Sequence, residues 1–127
     1  MKFKLTVIML FSVVFSISAQ SKWKAPSTAK TIKSPLKMSS DNAKEGKKIF
    51  TQMCIICHGI KGKGDGMAGA ALTPKPANFT LNTVQSQTDG ELFWKMTNGN
   101  SPMAAYKDIL TETQRWQLVA YIRTFKK

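Results

Sequence analysis

The sequence predicts an all-helical domain with long loops, and three observations support this fold class. Apolar residues recur at helical spacing in three stretches. Two of these stretches open with a capping box, Thr88-x-x-Glu91 and Thr111-x-x-Gln114, a pattern typical of helix starts. No stretch alternates apolar and polar residues as a half-buried strand would. The length of 127 residues suits one domain rather than two domains or a repeat array.

The first nineteen residues have the pattern of a secretory signal peptide. A positively charged start is followed by an almost unbroken apolar run over residues 5–17 and by small residues up to Ala19. The apolar run is shorter than the ~20 residues of a comfortable membrane span, and an uncleaved anchor is the alternative. We therefore expect residues 1–19 to be removed and the rest of the chain to be periplasmic or secreted.

Residues 20–40 have the composition of a flexible, lysine-rich arm. They contain two prolines, several Ser and Thr, no acidic residue and no hydrophobic period, and Trp23 alone hints at docking. Clustered lysines favour a weak contact with an anionic membrane. The five lysines are Lys22, Lys24, Lys30, Lys33 and Lys37.

The first predicted helix begins around Asn42-x-x-Glu45, which resembles a helix start, and ends at Gly59. Its apolar residues fall at helical spacing. The following stretch, residues 59–87, is rich in glycine and is predicted to be a loop with one short helical turn near residues 68–72.

The second predicted helix follows the capping box at Thr88 and ends at Asn98-Gly99, and the third follows the capping box at Thr111. The third helix closes with basic residues, which suit a helix C-terminus. These are Arg123, Lys126 and Lys127. Three helices and so many glycines leave residues 41–127 with a thin core, which a bulky apolar group would complete.

The sequence Cys54-Ile55-Ile56-Cys57-His58 is a CxxCH motif, the attachment signature of c-type haem. On one turn of helix, Cys54 and Cys57 share a face, so each thiol reaches one vinyl edge of the same porphyrin. His58 lies on that face too, and its imidazole can bind the iron from one side. We therefore predict one covalently bound haem c with His58 as an axial ligand.

Three other uses of this cysteine pair are weaker hypotheses. A thiol–disulfide oxidoreductase would place the pair in a βαβ context, of which the sequence shows no sign. A structural zinc site lacks a fourth ligand, because the chain has two Cys and one His. A plain disulfide would close a very small loop and stabilise the fold little.

The single histidine excludes a second histidine ligand within the chain, so the sixth ligand is Met, Lys, a weak ligand or none. Met103 lies in a loop flanked by Gly99 and Pro102, where it can be aimed across a flat cofactor. Met96 lies at helical spacing from Leu92 and is predicted to fill the core instead. We therefore predict Met103 as the second axial ligand.

In these segments the chain resembles the small monohaem class I cytochromes c. The resemblance covers about residues 41–126 and lies in AKEGKKIFTQMC, CIICHGIKGKGDG, LTPKPANF, GELFWKMTNGNSPM and TETQRWQLVAYIRTF. It implies the cytochrome c fold over residues 41–127, with three main helices and long loops wrapped around one covalently bound haem. The residues it implies at the site are Cys54 and Cys57 as thioether residues and His58 and Met103 as axial ligands.

The resemblance also implies two structural contacts. The first helix should pack on the last, and the carbonyl of Pro74 or Pro76 should accept a hydrogen bond from the ring of His58 and so orient it. The packing residues that it implies are Gly46, Phe50, Leu118 and Tyr121.

A haem held by His and Met is coordinatively closed, so it passes electrons but does not readily bind a substrate. We therefore expect an electron carrier in electron transport and not an enzyme. One alternative is a haem c subunit or module of a larger oxidoreductase or respiratory complex. Another is a gas sensor or peroxidase-like enzyme with an open distal side.

The charge of the chain suggests its partners. The formal net charge is +12, and residues 41–127 carry twelve Lys and Arg against seven Asp and Glu, a net +5. A basic surface favours redox partner proteins with acidic docking faces, and salt weakens such docking. Nucleic acid is a poor partner for an exported protein. We expect a monomer.

Overall fold

The computed structural model describes residues 23–127. This part of the chain forms five α-helices and two short 3₁₀ turns, Ser27–Thr31 and Gly69–Ala71. The helices are α1 (Ser40–Met53), α2 (Ile55–His58), α3 (Asn82–Gln85), α4 (Asp89–Asn98) and α5 (Glu112–Arg123). Residues 23–127 contain no strand, which confirms the all-helical class, and none of their helices is both long and apolar enough to cross a membrane. The predicted signal peptide lies outside the described residues.

The first predicted helix is present, but it begins earlier than expected and is divided in two. The Ser39 hydroxyl caps α1 by accepting a hydrogen bond from the Asn42 N–H at 3.3 Å. At Cys54 the backbone departs from regular helix geometry (φ −113°, ψ −27°), and α2 then runs to His58. Gly59 ends α2 with a φ of 77°, a left-handed value that favours glycine.

Both predicted capping boxes are formed. The Thr88 hydroxyl accepts from the Glu91 N–H at 3.2 Å, and the Glu91 carboxylate accepts from the Thr88 N–H at 2.8 Å. Thr111 and Gln114 repeat the arrangement at the same two distances. Each box satisfies two backbone donors that would otherwise lack partners, which is why α4 and α5 begin where the sequence predicts.

Helices α1 and α5 cross closely at Gly46. Any side chain here would clash with the Gln117 carbonyl, and its Cβ would lie 2.9 Å from the Tyr121 Cβ. One turn later, Phe50 is buried and its ring meets that of Tyr121 edge-on, with the ring centres 5.1 Å apart. Leu118 joins Phe50 in the same core. The packing of the first helix on the last is therefore confirmed.

The segment before α1 differs from the expected flexible arm, because its described part packs on the fold. The turn Ser27–Thr31 lies against α4. Ala29 is buried, and its carbonyl and that of Ile32 lie directly over Gly90, where a Cβ would be 2.6 Å from the Ile32 oxygen. We call residues 23–36 the N-terminal strap.

Two further contacts hold the N-terminal strap, and together they explain the difference from expectation. Ile32 and Leu36 pack against the hydrophobic core, and the Lys95 ammonium lies 5.4 Å from the ring centre of Trp23. Ala29, Ile32 and Leu36 are only three apolar residues, and Pro35 interrupts their spacing, so they form no recognisable helical pattern. Their burial depends on contact with α4, which the sequence of this segment alone does not reveal.

The long stretch between α2 and α4 contains the predicted short turn, at Gly69–Ala71, and one helix that was not predicted, α3. Gln85 of α3 is buried, and its side-chain amide donates to the Phe79 carbonyl at 2.7 Å and to the Ile122 carbonyl at 3.0 Å. These bonds tie the loop to the end of α5. Because both acceptors are backbone atoms, no residue pattern announces them.

Candidate haem site

Cys54 and Cys57 lie at the junction of α1 and α2 and follow one helical turn. The N–H groups of Cys57 and His58 both donate to the Cys54 carbonyl, at 3.3 and 2.9 Å. Both cysteines are half-buried and neither sulfur is bridged. Burial raises the pKa of the Cys54 thiol to about 11, with a smaller contribution from the neighbouring Cys57. This thiol is therefore protonated at neutral pH.

His58 is oriented by two contacts from the loop that follows α2. Its Nδ1 lies 3.1 Å from the Ala77 carbonyl, and its ring stacks on Phe79 with the ring centres 4.5 Å apart. Burial lowers the pKa of His58, and the hydrogen bond to Ala77 opposes that shift. A neutral ring that donates through Nδ1 leaves Nε2 as the free lone pair, as a metal ligand requires.

The hydrogen-bond acceptor of His58 differs from the expectation. We expected the carbonyl of Pro74 or Pro76, and the structure presents that of Ala77. The Pro76 carbonyl lies over Gly64 instead, where a Cβ would be 2.5 Å from the oxygen. The next carbonyl along the chain, that of Ala77, meets the histidine ring.

The glycine-rich loop holds the CxxCH turn through its backbone. Gly64 donates to the His58 carbonyl, Gly66 to the Cys57 carbonyl and Ala68 to the Ile56 carbonyl, at 2.8–3.0 Å. These bonds satisfy the carbonyls that the end of a helix leaves free. The turn that carries the two cysteines and the histidine is therefore held in place by backbone N–H groups of the following loop.

The two methionines singled out from the sequence have different surroundings. Met96 is 6% exposed and belongs to the hydrophobic core, as predicted. Met103 is half-buried in a tight loop, where Asn100 and Met103 exchange backbone hydrogen bonds of 3.1 and 2.9 Å. Gly99, with a φ of 66°, lies against the peptide that joins Ala104 to the next residue. Ligation by Met103 remains a prediction.

Tyr106 is a residue of this region that the sequence analysis did not single out. Burial raises its pKa, with smaller upward contributions from Cys54 and Cys57. Tyr106 follows Met103 by three residues, and it packs against the same hydrophobic core as Cys54. The sequence gives no sign of this shared packing, because the two residues are far apart in the chain.

The side chains present fit a c-type haem. Two unbridged thiols stand one turn apart, a histidine is oriented with Nε2 free, and the segment that follows Met103 packs against the same core as Cys54. Zinc has no such ligand set, since residues 23–127 bring together no group of three or more His, Cys, Asp and Glu side chains.

Comparisons with known proteins agree with this chemistry. A family model described as cytochrome c oxidase, cbb3-type, subunit III matches residues 41–122. No protein in a search of the curated proteins matches the chain.

Two solved structures are similar to the fold. One belongs to the Kuenenia stuttgartiensis reducing HAO-like protein complex Kustc0457/Kustc0458, with a TM-score of 0.66 and 25% identity. It covers 74% of this chain, which spans only 48% of that one. The other is the KustC0563 c-type cytochrome, with a TM-score of 0.54, 28% identity, and coverage of 65% of this chain and 98% of its own.

The helical fold, the CxxCH turn and the match over most of the chain lead to one assignment. The family is one of cytochrome c domains, which carry covalently bound haem c and transfer electrons through it. The chain belongs to the cytochrome c domain family described as cytochrome c oxidase, cbb3-type, subunit III.

Proposed function

We propose that the protein is a one-electron carrier with a single haem c, acting in the periplasm or elsewhere outside the cytoplasmic membrane, and that it is not an enzyme. The haem would be attached through Cys54 and Cys57 and ligated by His58 and Met103. The observation that carries the proposal is the oriented His58, whose Nδ1 bond to Ala77 leaves Nε2 free beside two unbridged thiols.

The chain's own residues would make this site suitable for electron transfer. Bound haem supplies a couple between ferric and ferrous iron. The Ala77 carbonyl and the Phe79 ring keep the His58 ring from turning, so little reorganisation accompanies a change of charge. Met103 would close the second axial side and keep substrates away from the iron.

A docking surface for redox partners adjoins the CxxCH turn. Ile56, Ile60 and Met67 are exposed there, Ile60 at 72% and Met67 at 89%. The bond from the Ala68 N–H to the Ile56 carbonyl brings the loop around Met67 beside α2. The exposed Lys61 and Lys63 flank this apolar group. An apolar centre with basic neighbours fits a partner protein whose apolar contact is rimmed by acidic residues.

Intact-mass spectrometry tests the proposal. The exported protein, produced in a host that matures c-type haem, should begin near Gln20 and carry the mass of exactly one haem under denaturing conditions. A variant with both Cys54→Ser and Cys57→Ser should show the bare polypeptide mass. Wild-type protein at the bare mass would contradict covalent attachment, and oxidised and reduced optical spectra would report whether the iron is six-coordinate.

A second candidate function is a haem c module of a larger complex. The similarity to one chain of a reducing HAO-like complex supports it, as does the fact that the present chain spans about half of that chain. Native extraction distinguishes the two: a free monomeric carrier elutes alone, whereas a module elutes with large subunits at fixed stoichiometry.

Weak contact of the exposed lysines at residues 24–37 with anionic lipid is a further proposal, tested by vesicle flotation.

A further inference from the structure

Arg115 of α5 is a buried cation whose charge has no carboxylate partner among residues 23–127. It is 8% exposed and forms no salt bridge with the described residues. The other arginine of α5, Arg123, forms one with Asp89. Its Nη1 donates instead to two backbone carbonyls, those of Lys107 at 3.0 Å and Leu110 at 2.7 Å. Its guanidinium also lies 5.2 Å from the ring centre of Phe93.

Burying a charge without a counter-ion is unfavourable, and here the two carbonyls and the Phe93 ring offset that cost. Both carbonyls belong to the segment that follows Met103. This segment is also held by α4, since the Tyr106 N–H donates to the Met96 carbonyl at 3.0 Å and the Lys107 N–H to the Thr97 carbonyl at 3.2 Å. Arg115 therefore clamps this segment onto α5, while the two backbone bonds hold it on α4.

We propose that Arg115 is a positioning residue that keeps Met103 on the haem iron by clamping the segment Met103–Leu110. The inference rests on the proposed function, in which Met103 is the sixth ligand. Arg115 does not touch the ligand: it acts through the backbone at Lys107 and Leu110. Loosening the clamp favours conformations in which the Met103 sulfur has left the iron.

Binding of imidazole to the ferric holoprotein measures this equilibrium, because imidazole can bind only when the sulfur is displaced. Arg115→Met should raise the apparent affinity for imidazole about tenfold or more, as expected for loss of hydrogen bonds from a charged donor. Arg115→Lys keeps the charge but not the planar donor group, and should give a smaller rise. Each titration is monitored by the loss of the sulfur-to-iron charge-transfer band.

Arg123→Met is the matched control. Arg123 lies on the same helix and also bonds carbonyls, those of Gln85 and Gln87, together with Asp89, but it has no bond to the Met103 segment. This variant should lose stability and keep the wild-type imidazole affinity. Hydrogen exchange adds a second readout: the Tyr106 and Lys107 amides should exchange faster in Arg115→Lys and not in Arg123→Met.

Unchanged imidazole affinity and amide exchange in Arg115→Lys and Arg115→Met would overturn the proposal, as would an equal rise in Arg123→Met. Should Arg115→Met not fold, Arg115→Lys decides alone. A wild-type protein without the sulfur-to-iron band shows a different failure, that of Met103 as ligand. A wild-type protein with the band and insensitive Arg115 variants shows that the clamp alone is wrong.

Discussion

At the scale of single residues, the site depends on a few side chains whose positions are set by backbone groups. His58 is held by the Ala77 carbonyl, and the two cysteines by a turn whose carbonyls the following loop satisfies. Phe79 covers one face of the His58 ring and extends the core to the site. We therefore expect substitutions to divide into those that change the proposed ligands of the iron and those that change only the packing around them.

The two methionines provide the clearest test of that division. Met103→Ala should vacate one axial position without releasing the haem, because the proposed thioether bonds would remain. Ferric iron should then become high-spin or take up water or lysine, and the potential should fall. Met96→Ala should lower the free energy of unfolding by about 2–5 kcal/mol and leave the spectrum unchanged, because Met96 is core. Retention of the sulfur-to-iron band in Met103→Ala and its loss in Met96→Ala would reverse the assignment.

At the scale of elements, the loop after α4 is shaped by Gly99. Its φ of 66° disfavours other residues, and a Cβ would lie 2.6 Å from the Ala104 carbonyl carbon. Gly99→Ala should therefore lower the free energy of unfolding by about 1–3 kcal/mol, the strain of a non-glycine residue at positive φ with ψ near 180°, and weaken the sulfur-to-iron band. Denaturant melts and ferric spectra check this. Asn98→Ala, at the exposed neighbouring position, is the control and should keep the band.

The N-terminal strap supports a prediction opposite to that for a flexible arm. Gly90→Ala would drive a Cβ into the Ala29 carbonyl, and should lower the free energy of unfolding by roughly 1–3 kcal/mol. Lys30→Ala and Lys33→Ala remove exposed charges from the same strap and should change it by less than about 0.5 kcal/mol. Thermal melts of the holoprotein give both values. An unaffected Gly90→Ala melt would mean that the strap is not packed in solution.

At the scale of the whole molecule, the positive charge of the chain should steer its encounters with charged reagents. The net +5 of residues 41–127 and the further lysines of residues 20–40 give a positive field, which attracts anions until salt screens it. Oxidation of the ferrous protein by anionic ferricyanide should slow severalfold between low and physiological ionic strength. Reduction of the ferric protein by cationic hexaammineruthenium(II) should accelerate over the same range. Stopped-flow rates that are flat for both reagents would show that the surface near the haem has no net field.

Several features of this protein are determined by residues that lie close together in the sequence. A capping box needs two residues three apart, and a CxxCH turn needs five consecutive ones, so α4, α5 and the attachment motif follow from the chain alone. The positions of Met96 in the core and of the crossing at Gly46 follow from helical spacing and from family resemblance. All of these features were predicted from the sequence and are present in the structure.

Other features were decided only by the tertiary structure, because they join residues far apart in the chain through groups that every residue possesses. The acceptor for His58 is a backbone carbonyl nineteen residues away, so the choice between Pro74, Pro76 and Ala77 depended on which carbonyl the fold turned toward the ring. The packing of residues 23–36 depended on contact with α4. The contacts of Arg115 depended on two backbone carbonyls that nothing in the sequence distinguishes from the others. Side-chain patterns record local preference and chemistry, whereas the pairing of backbone groups is settled only when distant segments meet.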